Sequence, residues 1–172
     1  MDHFDYRDGQ LHCEDVALEA IAAEIGTPVY VYSTATLVRH AQAMTSALAM
    51  LDDPLIAFAV KANPNPAVLA TLAGEGLGAD IVSIGEYRRA KAAGIPSSRI
   101  LFSGVGKAAS EMAEALAGDV LQFNLESVEE ARTLSAVAAS AGKTARIARL
   151  AVSPSIRGIL MSIKTQSGRN SL

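Results

Sequence analysis

Leu55-Ile56-Ala57-Phe58-Ala59-Val60-Lys61-Ala62-Asn63-Pro64-Asn65-Pro66 passes from an unbroken apolar run into a lysine and then into turn residues. An apolar run without polar alternation predicts a buried parallel strand over residues 55–60. Asp53-Pro54 marks the turn before it, and Pro66 suits the first turn of a following helix. Gly74 to Gly78 is the glycine-rich stretch that closes that helix. Lys61 then stands at the carboxyl end of a parallel strand, the end that carries the active site in α/β barrels. Ala59, two residues back, faces the same side in an extended strand and is small enough to leave room for a planar ring. A lysine so placed can serve as a Schiff-base nucleophile or be an ordinary surface lysine just past a strand, and position alone does not decide between them.

The same strand-then-helix pattern extends in both directions. Upstream, Val29-Tyr30-Val31-Tyr32 reads as a strand, and Ser33-Thr34 supplies the cap of a helix reaching about Leu51. Downstream, strands are expected over residues 80–83, 99–103, 120–124 and 145–150. Helices are expected over 85–93, 108–117 and 127–141, with Ser127 as a cap and Gly142 as a stop. An alternation recurring about every twenty residues predicts βαβ units around a parallel sheet. Right-handed crossovers leave two architectures, an open doubly wound sheet or a (β/α)8 barrel, and spacing does not separate them. A whole barrel takes about 250 residues, so five to six units here make a partial one. Residues 1–27 differ in texture. Phe4 to Tyr6, Asp8-Gly9 and Leu11 to Cys13 predict a β-hairpin, followed by a helix from Val16 that Gly26 closes.

Several segments in register carry a family resemblance. Ala57-Phe58-Ala59-Val60-Lys61-Ala62-Asn63-Pro64-Asn65 resembles the cofactor-lysine segment of the fold type III pyridoxal-phosphate decarboxylases, in the form found in diaminopimelate decarboxylases. Gly26-Thr27-Pro28-Val29-Tyr30-Val31-Tyr32 and Gly78-Ala79-Asp80-Ile81-Val82-Ser83-Ile84-Gly85-Glu86 are similar to further segments of that family. So are Ile100-Leu101-Phe102-Ser103-Gly104-Val105-Gly106-Lys107, Phe123-Asn124-Leu125-Glu126-Ser127 and the opening His3-Phe4-Asp5-Tyr6-Arg7-Asp8-Gly9. The likeness runs from about residue 3 to about 148. It implies a partial (β/α)8 barrel of the TIM-like, alanine racemase type over residues 28–149, with residues 1–27 belonging to a second β layer. It also implies pyridoxal 5'-phosphate as cofactor, carried on Lys61 as a Schiff base, with Ala59, Asp80 and Glu86 around it. Asp80 and Glu86 are expected to hold Lys61 or its neighbours by hydrogen bonds, although a glutamate in the first turn of a helix is equally served by the helix dipole. The implied reaction is decarboxylation of meso-2,6-diaminopimelate to L-lysine by a homodimer. Ornithine, arginine or carboxynorspermidine are the alternative substrates within the family. A non-catalytic cofactor carrier is a further reading, which the hairpin argues against.

Composition narrows the classes. The chain has 172 residues, half of them hydrophobic, a net charge of −3 and one cysteine, Cys13. No bulk charge points to nucleic acid or an anionic membrane, and no apolar run reaches the length of a bilayer span. The acidic start lacks a signal-peptide pattern, and one cysteine excludes an internal disulfide, so a cytoplasmic protein is expected. His3, His12 and His40 have no metal-ligand spacing, and no metal is expected. Cys13 reads as a small apolar hairpin residue. Ser103-Gly104-Val105-Gly106-Lys107-Ala108 resembles a phosphate loop only in outline. Leu101 and Ala108 occupy places where that motif needs Gly and Ser or Thr, so a strand-to-helix turn is expected. The alanines Ala20, Ala22, Ala23, Ala136, Ala138 and Ala139 are expected to pack against strands.

Residues 150–172 break with the rest: no acidic residue, three basic ones (Arg157, Lys164, Arg169) and five serines. Arg149 to Pro154 departs from the family pattern, which continues with an arginine-containing strand. An irregular tail produced by a reading-frame change or premature end near residue 149 is expected. The family's ring-stacking histidine, phosphate-binding glycine loop, ring-nitrogen glutamate and C-terminal β-domain have no counterpart in this sequence. Little or no decarboxylase activity is therefore expected from the chain alone, which could also pair with an intact subunit.

Overall fold

A computed structural model describes residues 3–149. The divergent segment 150–172, and with it Leu150 of the last expected strand, lies outside the described residues.

Asp8 and Gly9 turn the chain with φ of 51° and 80°, the left-handed pair that a two-residue hairpin turn requires. They join β1 (Phe4–Arg7) to antiparallel β2 (Gln10–Cys13) in the register Phe4↔Cys13 and Arg7↔Gln10. A short β3 (Val16–Ala17) extends the hairpin to three strands, so α1 (Leu18–Ile25) starts later than expected. No residue of α1 is buried, and Ala20 and Ala23 are exposed. The packing role expected for them is not realised among the described residues, because nothing there covers that face. Cys13 is buried, and burial, then the neighbouring Glu14 carboxylate, push its thiol up.

Glu14 ties this small sheet to the next element. Its Oε1 accepts from Ser33 Oγ and from the Ala35 N–H, each at 2.8 Å. Ser33 in turn caps α2 (Thr34–Ala47), accepting from the Thr36 N–H at 3.0 Å. The Ala35 N–H, then the Ser33 hydroxyl, hold the Glu14 carboxyl below its ordinary range.

The expected strand at Val29–Tyr32 is not one. Among the described residues, residues 28–33 pair with no strand, and Tyr30 is 87% exposed. A β-rich tetrapeptide becomes a strand only where a partner takes up its N–H and C=O groups, and the sheet among the described residues ends on β4.

That sheet is parallel, in the order β4 (Ala57–Ala59), β5 (Gly78–Ile81), β6 (Ile100–Phe102), β7 (Gln122–Leu125), β8 (Ile147–Arg149). Between the strands run α3 (Pro66–Gly74), α4 (Ile84–Ala92), α5 (Ala109–Ala117) and α6 (Val128–Ala141). Helix boundaries follow local chemistry: the Asn65, Ser83 and Ser127 side chains accept from first-turn N–H groups, and Gly142 closes α6 at φ 59°. Gly78 opens β5 so close to its neighbours that a Cβ there would lie 2.2 Å from the Arg99 carbonyl oxygen.

Register separates the two faces of the sheet. Ala79, Ile81, Ile100, Phe102, Phe123 and Leu125 are at most 2% exposed. They pack with Leu69 of α3, Ala90 of α4, Met112 and Ala115 of α5 and Ala131, Leu134 and Ala138 of α6. Of the alanines singled out in α6, Ala138 packs there, while Ala136 and Ala139 are exposed. The other face carries Ala57, Ala59, Asp80, Leu101, Ser103, Gln122 and Asn124, all half-buried. Residues 55–60 are thus not a strand buried on both faces.

Helices on one face and strands in sequential order describe a sheet wound in one direction. A doubly wound sheet has helices on both faces, whereas a barrel keeps them all outside. Packing therefore resolves what spacing left open, in favour of part of a barrel.

Candidate active site

Lys61 lies in a short 3-10 turn (Val60–Ala62) directly after β4. The turn is locally braced. The Asn63 N–H donates to the Val60 carbonyl at 3.1 Å, Asn63 Oδ1 accepts from the Asn65 N–H at 3.1 Å, and Asn65 Oδ1 accepts from the Ala67 N–H at 2.9 Å. The Ala-Asn-Pro-Asn segment thereby ends the strand and caps α3 within a few residues. Lys61 itself is exposed, and among the described residues it makes no hydrogen bond or ion pair. Its turn packs against β5 and α4.

Ala59 pairs with Asp80 in the parallel register, and both face the half-buried side. From Asp80 a chain of side chains crosses the sheet. The Ser103 hydroxyl donates to the Asp80 carboxylate. Ser103 Oγ accepts from Asn124 Nδ2 at 2.8 Å, and Asn124 Oδ1 accepts from Gln122 Nε2 at 2.8 Å. Every donor points toward Asp80, so the chain is polarised onto one carboxylate, the arrangement in which successive hydrogen bonds reinforce one another.

Asp80 thus faces the same side as Ala59, and its hydrogen-bond partner is Ser103 rather than Lys61. Glu86 has a different task. Its Oε2 accepts from the Val82 N–H at 2.8 Å while its own N–H donates to Ser83 Oγ at 3.3 Å. This is a Ser-x-x-Glu capping arrangement at the start of α4, which agrees with the helix-terminus reading. Ser103, Asn124 and Gln122 were not singled out as site residues. A signal was present in the polar residues at alternate positions near the ends of β6 and β7, but each such residue alone reads as an ordinary strand-end polar group.

Lys107 is buried, with its side chain fully enclosed. Its ammonium donates to the Gly104 carbonyl, to the Asn124 carbonyl at 2.8 Å and to Glu130 Oε2 at 3.1 Å, and lies 5.9 Å from the centre of the Phe102 ring. All three ammonium protons are used, so the loop does not present a lysine to a phosphate. Glu130 repeats the pattern of Glu86: it accepts from the Glu126 N–H at 2.9 Å, and its N–H donates to Ser127 Oγ at 3.1 Å.

Burial alone would raise the Glu130 carboxyl, but the Glu126 N–H and the Lys107 ammonium outweigh it and hold the group below its ordinary range. A carboxyl depressed on folding stabilises the folded chain above its unfolded pKa, about 4.3 for glutamate, and loses that contribution as pH falls through the folded value. Glu130→Gln is therefore expected to lower the urea midpoint at pH 7, with the gap to the parent closing below about pH 4. A gap independent of pH between 7 and 3 would contradict this role.

Among the described residues no helix is long and apolar enough to cross a membrane, and no group of three or more His, Cys, Asp or Glu side chains could hold a metal.

Comparison with known proteins places this geometry. The family described as "Pyridoxal-dependent decarboxylase, pyridoxal binding domain" matches residues 34–162. The diaminopimelate decarboxylase of Zymomonas mobilis is 53% identical over 155 residues, covering 89% of this chain and 37% of that protein. A crystal structure from Aquifex aeolicus superposes with a TM-score of 0.82 at 38% identity, covering 95% of this chain and 42% of that one. The Helicobacter pylori diaminopimelate decarboxylase, solved in complex with L-lysine, gives a TM-score of 0.71 at 40% identity over 77% of this chain and 33% of that one. The chain thus spans less than two fifths of the length of the curated relative from Zymomonas mobilis.

Proposed function

Because this chain belongs to the pyridoxal-dependent decarboxylase family, matching its pyridoxal-binding domain, we propose that Lys61 is the residue that holds pyridoxal 5'-phosphate. Ala59, Asp80, Ser103 and Asn124 form the wall beside it. Glu86 contributes by fixing the start of α4 through the Val82 N–H. The observation that carries this reading is a lysine without a partner among the described residues, at the carboxyl end of β4, next to a polarised hydrogen-bond chain that ends on Asp80.

The residues present fit the group. Lys61 has a free, accessible amine, Ala59 leaves space on the same face as Asp80, and the turn holding Lys61 is fixed by its own asparagines. When bound, pyridoxal phosphate supplies the electron sink that lets an α-carboxylate leave as carbon dioxide. The chain's own share is to bind the group through Lys61 and to hold a carboxylate at Asp80, with its hydrogen bonds already ordered, beside the reacting centre.

The reaction of the whole protein that this reading supports is decarboxylation of meso-2,6-diaminopimelate to L-lysine. Its support is the 53% identity to one diaminopimelate decarboxylase and the likeness to another solved with L-lysine. A homodimer acting on a small amino acid in the cytoplasm belongs to the same reading.

The test is chemical labelling. The chain is incubated with pyridoxal phosphate, reduced with borohydride, and digested for mass spectrometry. Pyridoxyl label concentrated on Lys61 is the expected result, with Lys107 unlabelled because it is enclosed. Label shared equally with Lys91 and Lys143, or no label at all, would sink the assignment.

A further inference from the structure

Lys107 and Glu130 form the one ion pair among the described residues in which both side chains are nearly removed from solvent, 0% and 9% exposed. Such a pair is a poor source of net stability, because the desolvation of both charges offsets much of their attraction. Its geometry suggests what else it does. The ammonium donates to the carbonyl of Gly104, the residue after Ser103, and to the carbonyl of Asn124 itself. Glu130, from α6, completes the clamp and also receives the Glu126 N–H, just beyond the end of β7. Gly104 and Gly106, at φ 80° and 70°, let the loop bend so that Lys107 returns beneath the strand ends.

The two backbone points held by Lys107 therefore belong to, or adjoin, the two residues whose side chains lead to Asp80. Ser103 and Asn124 come from different strands, and the hydrogen bond between their side chains at 2.8 Å depends on how those strand ends are spaced. We infer that the buried Lys107–Glu130 pair is a positioning device: it fixes the carboxyl ends of β6 and β7 so that Asn124 and Ser103 stay aligned on Asp80. This rests on the reading of that face as the cofactor wall. Lys107 and Glu130 are positioning residues that act through the backbone.

The experiment uses the cofactor-free chain, so that it is decided independently of whether Lys61 takes up pyridoxal phosphate. Hydrogen exchange of the Asn124 side-chain amide is followed by NMR, with the backbone amide of Phe123, in the same strand, as the reference for overall stability. In Lys107→Met the Asn124 side-chain amide is expected to exchange about tenfold faster relative to Phe123, as befits loss of one hydrogen bond. Lys107→Arg, which can still bridge two carbonyls and a carboxylate, is expected to restore most of the protection. Where Lys107→Met does not fold, Glu130→Gln carries the same comparison with a smaller but still selective effect. Parallel acceleration of both amides, or no change at Asn124 in a folded variant, would overturn the inference and leave the pair a purely structural one. Failure of the parent chain to label Lys61 would instead overturn the functional reading, with the amide comparison unaffected.

Discussion

Lys61→Ala is expected to reduce borohydride-fixed pyridoxyl label to the background carried by exposed surface lysines. The argument is one of access and competition. Lys107 is enclosed and its three protons are engaged. Lys143 is tied to the Leu116 and Ala117 carbonyls at 3.1 Å and to Asp119 at 2.7 Å. Lys91 is exposed on α4, where nothing orients a bound ring. Lys61 alone among the lysines of the described residues joins an unengaged amine to a strand end beside a polar wall. Lys91→Ala is the control and is expected to leave the labelling unchanged. If Lys61→Ala keeps the parent level of label, the amine that reacts lies elsewhere and the site falls with it.

Phe102→Ala is expected to destabilise the fold by about 3–5 kcal/mol, the range for removing a large aromatic from a packed core. Phe102 is fully buried at the carboxyl end of β6. Its ring lies 5.8 Å from that of Phe123 at an interplanar angle of 32°, with the Lys107 ammonium 5.9 Å from its centre. The substitution thus removes core volume, an aromatic contact and part of the setting of a buried charge. Against a total stability of about 5–15 kcal/mol this is a large fraction. At a urea slope of about 2 kcal/mol per molar it shifts the midpoint by roughly 2 M. Leu101→Ala, on the half-buried face of the same strand, should cost clearly less. Equal losses at the two positions would mean that the faces of the sheet have been assigned wrongly.

Elements whose signals are local were legible in the chain. Asp8-Gly9 supplies the backbone angles of a hairpin turn whatever surrounds it. Ser33 and Ser127 each receive an N–H within three residues, and Pro66 and Gly142 mark a start and a stop for reasons internal to the helix, whereas Ser83, expected to end a strand, also caps a helix. The parallel alternation and the position of Lys61 after an apolar strand follow from the same short-range logic. The segment 29–32 had equal β character and did not become a strand, because pairing is supplied by another part of the chain. The alanines of α1 had the spacing of a packed face and lie open or half-buried, because packing requires a second surface.

What the sequence by itself determined is therefore the opening hairpin, the succession of strands and helices from β4 onward, several of their caps, and the lysine at a strand's carboxyl end. All of these are set by dihedral preferences and hydrogen bonds that close within a few residues. Only the tertiary structure decided that α3 to α6 all lie on one face of the parallel sheet and that Asp80 is joined to Ser103 and Asn124. It also decided that Lys107 is an enclosed clamp, with Glu130 as its counter-ion, and that Glu86 serves its own helix. The ion pair and the hydrogen bonds from Asp80 link residues 21 to 23 positions apart. Whether a polar side chain at such a distance is solvated, paired or buried depends on which surfaces meet when the strands align, and no local pattern encodes that.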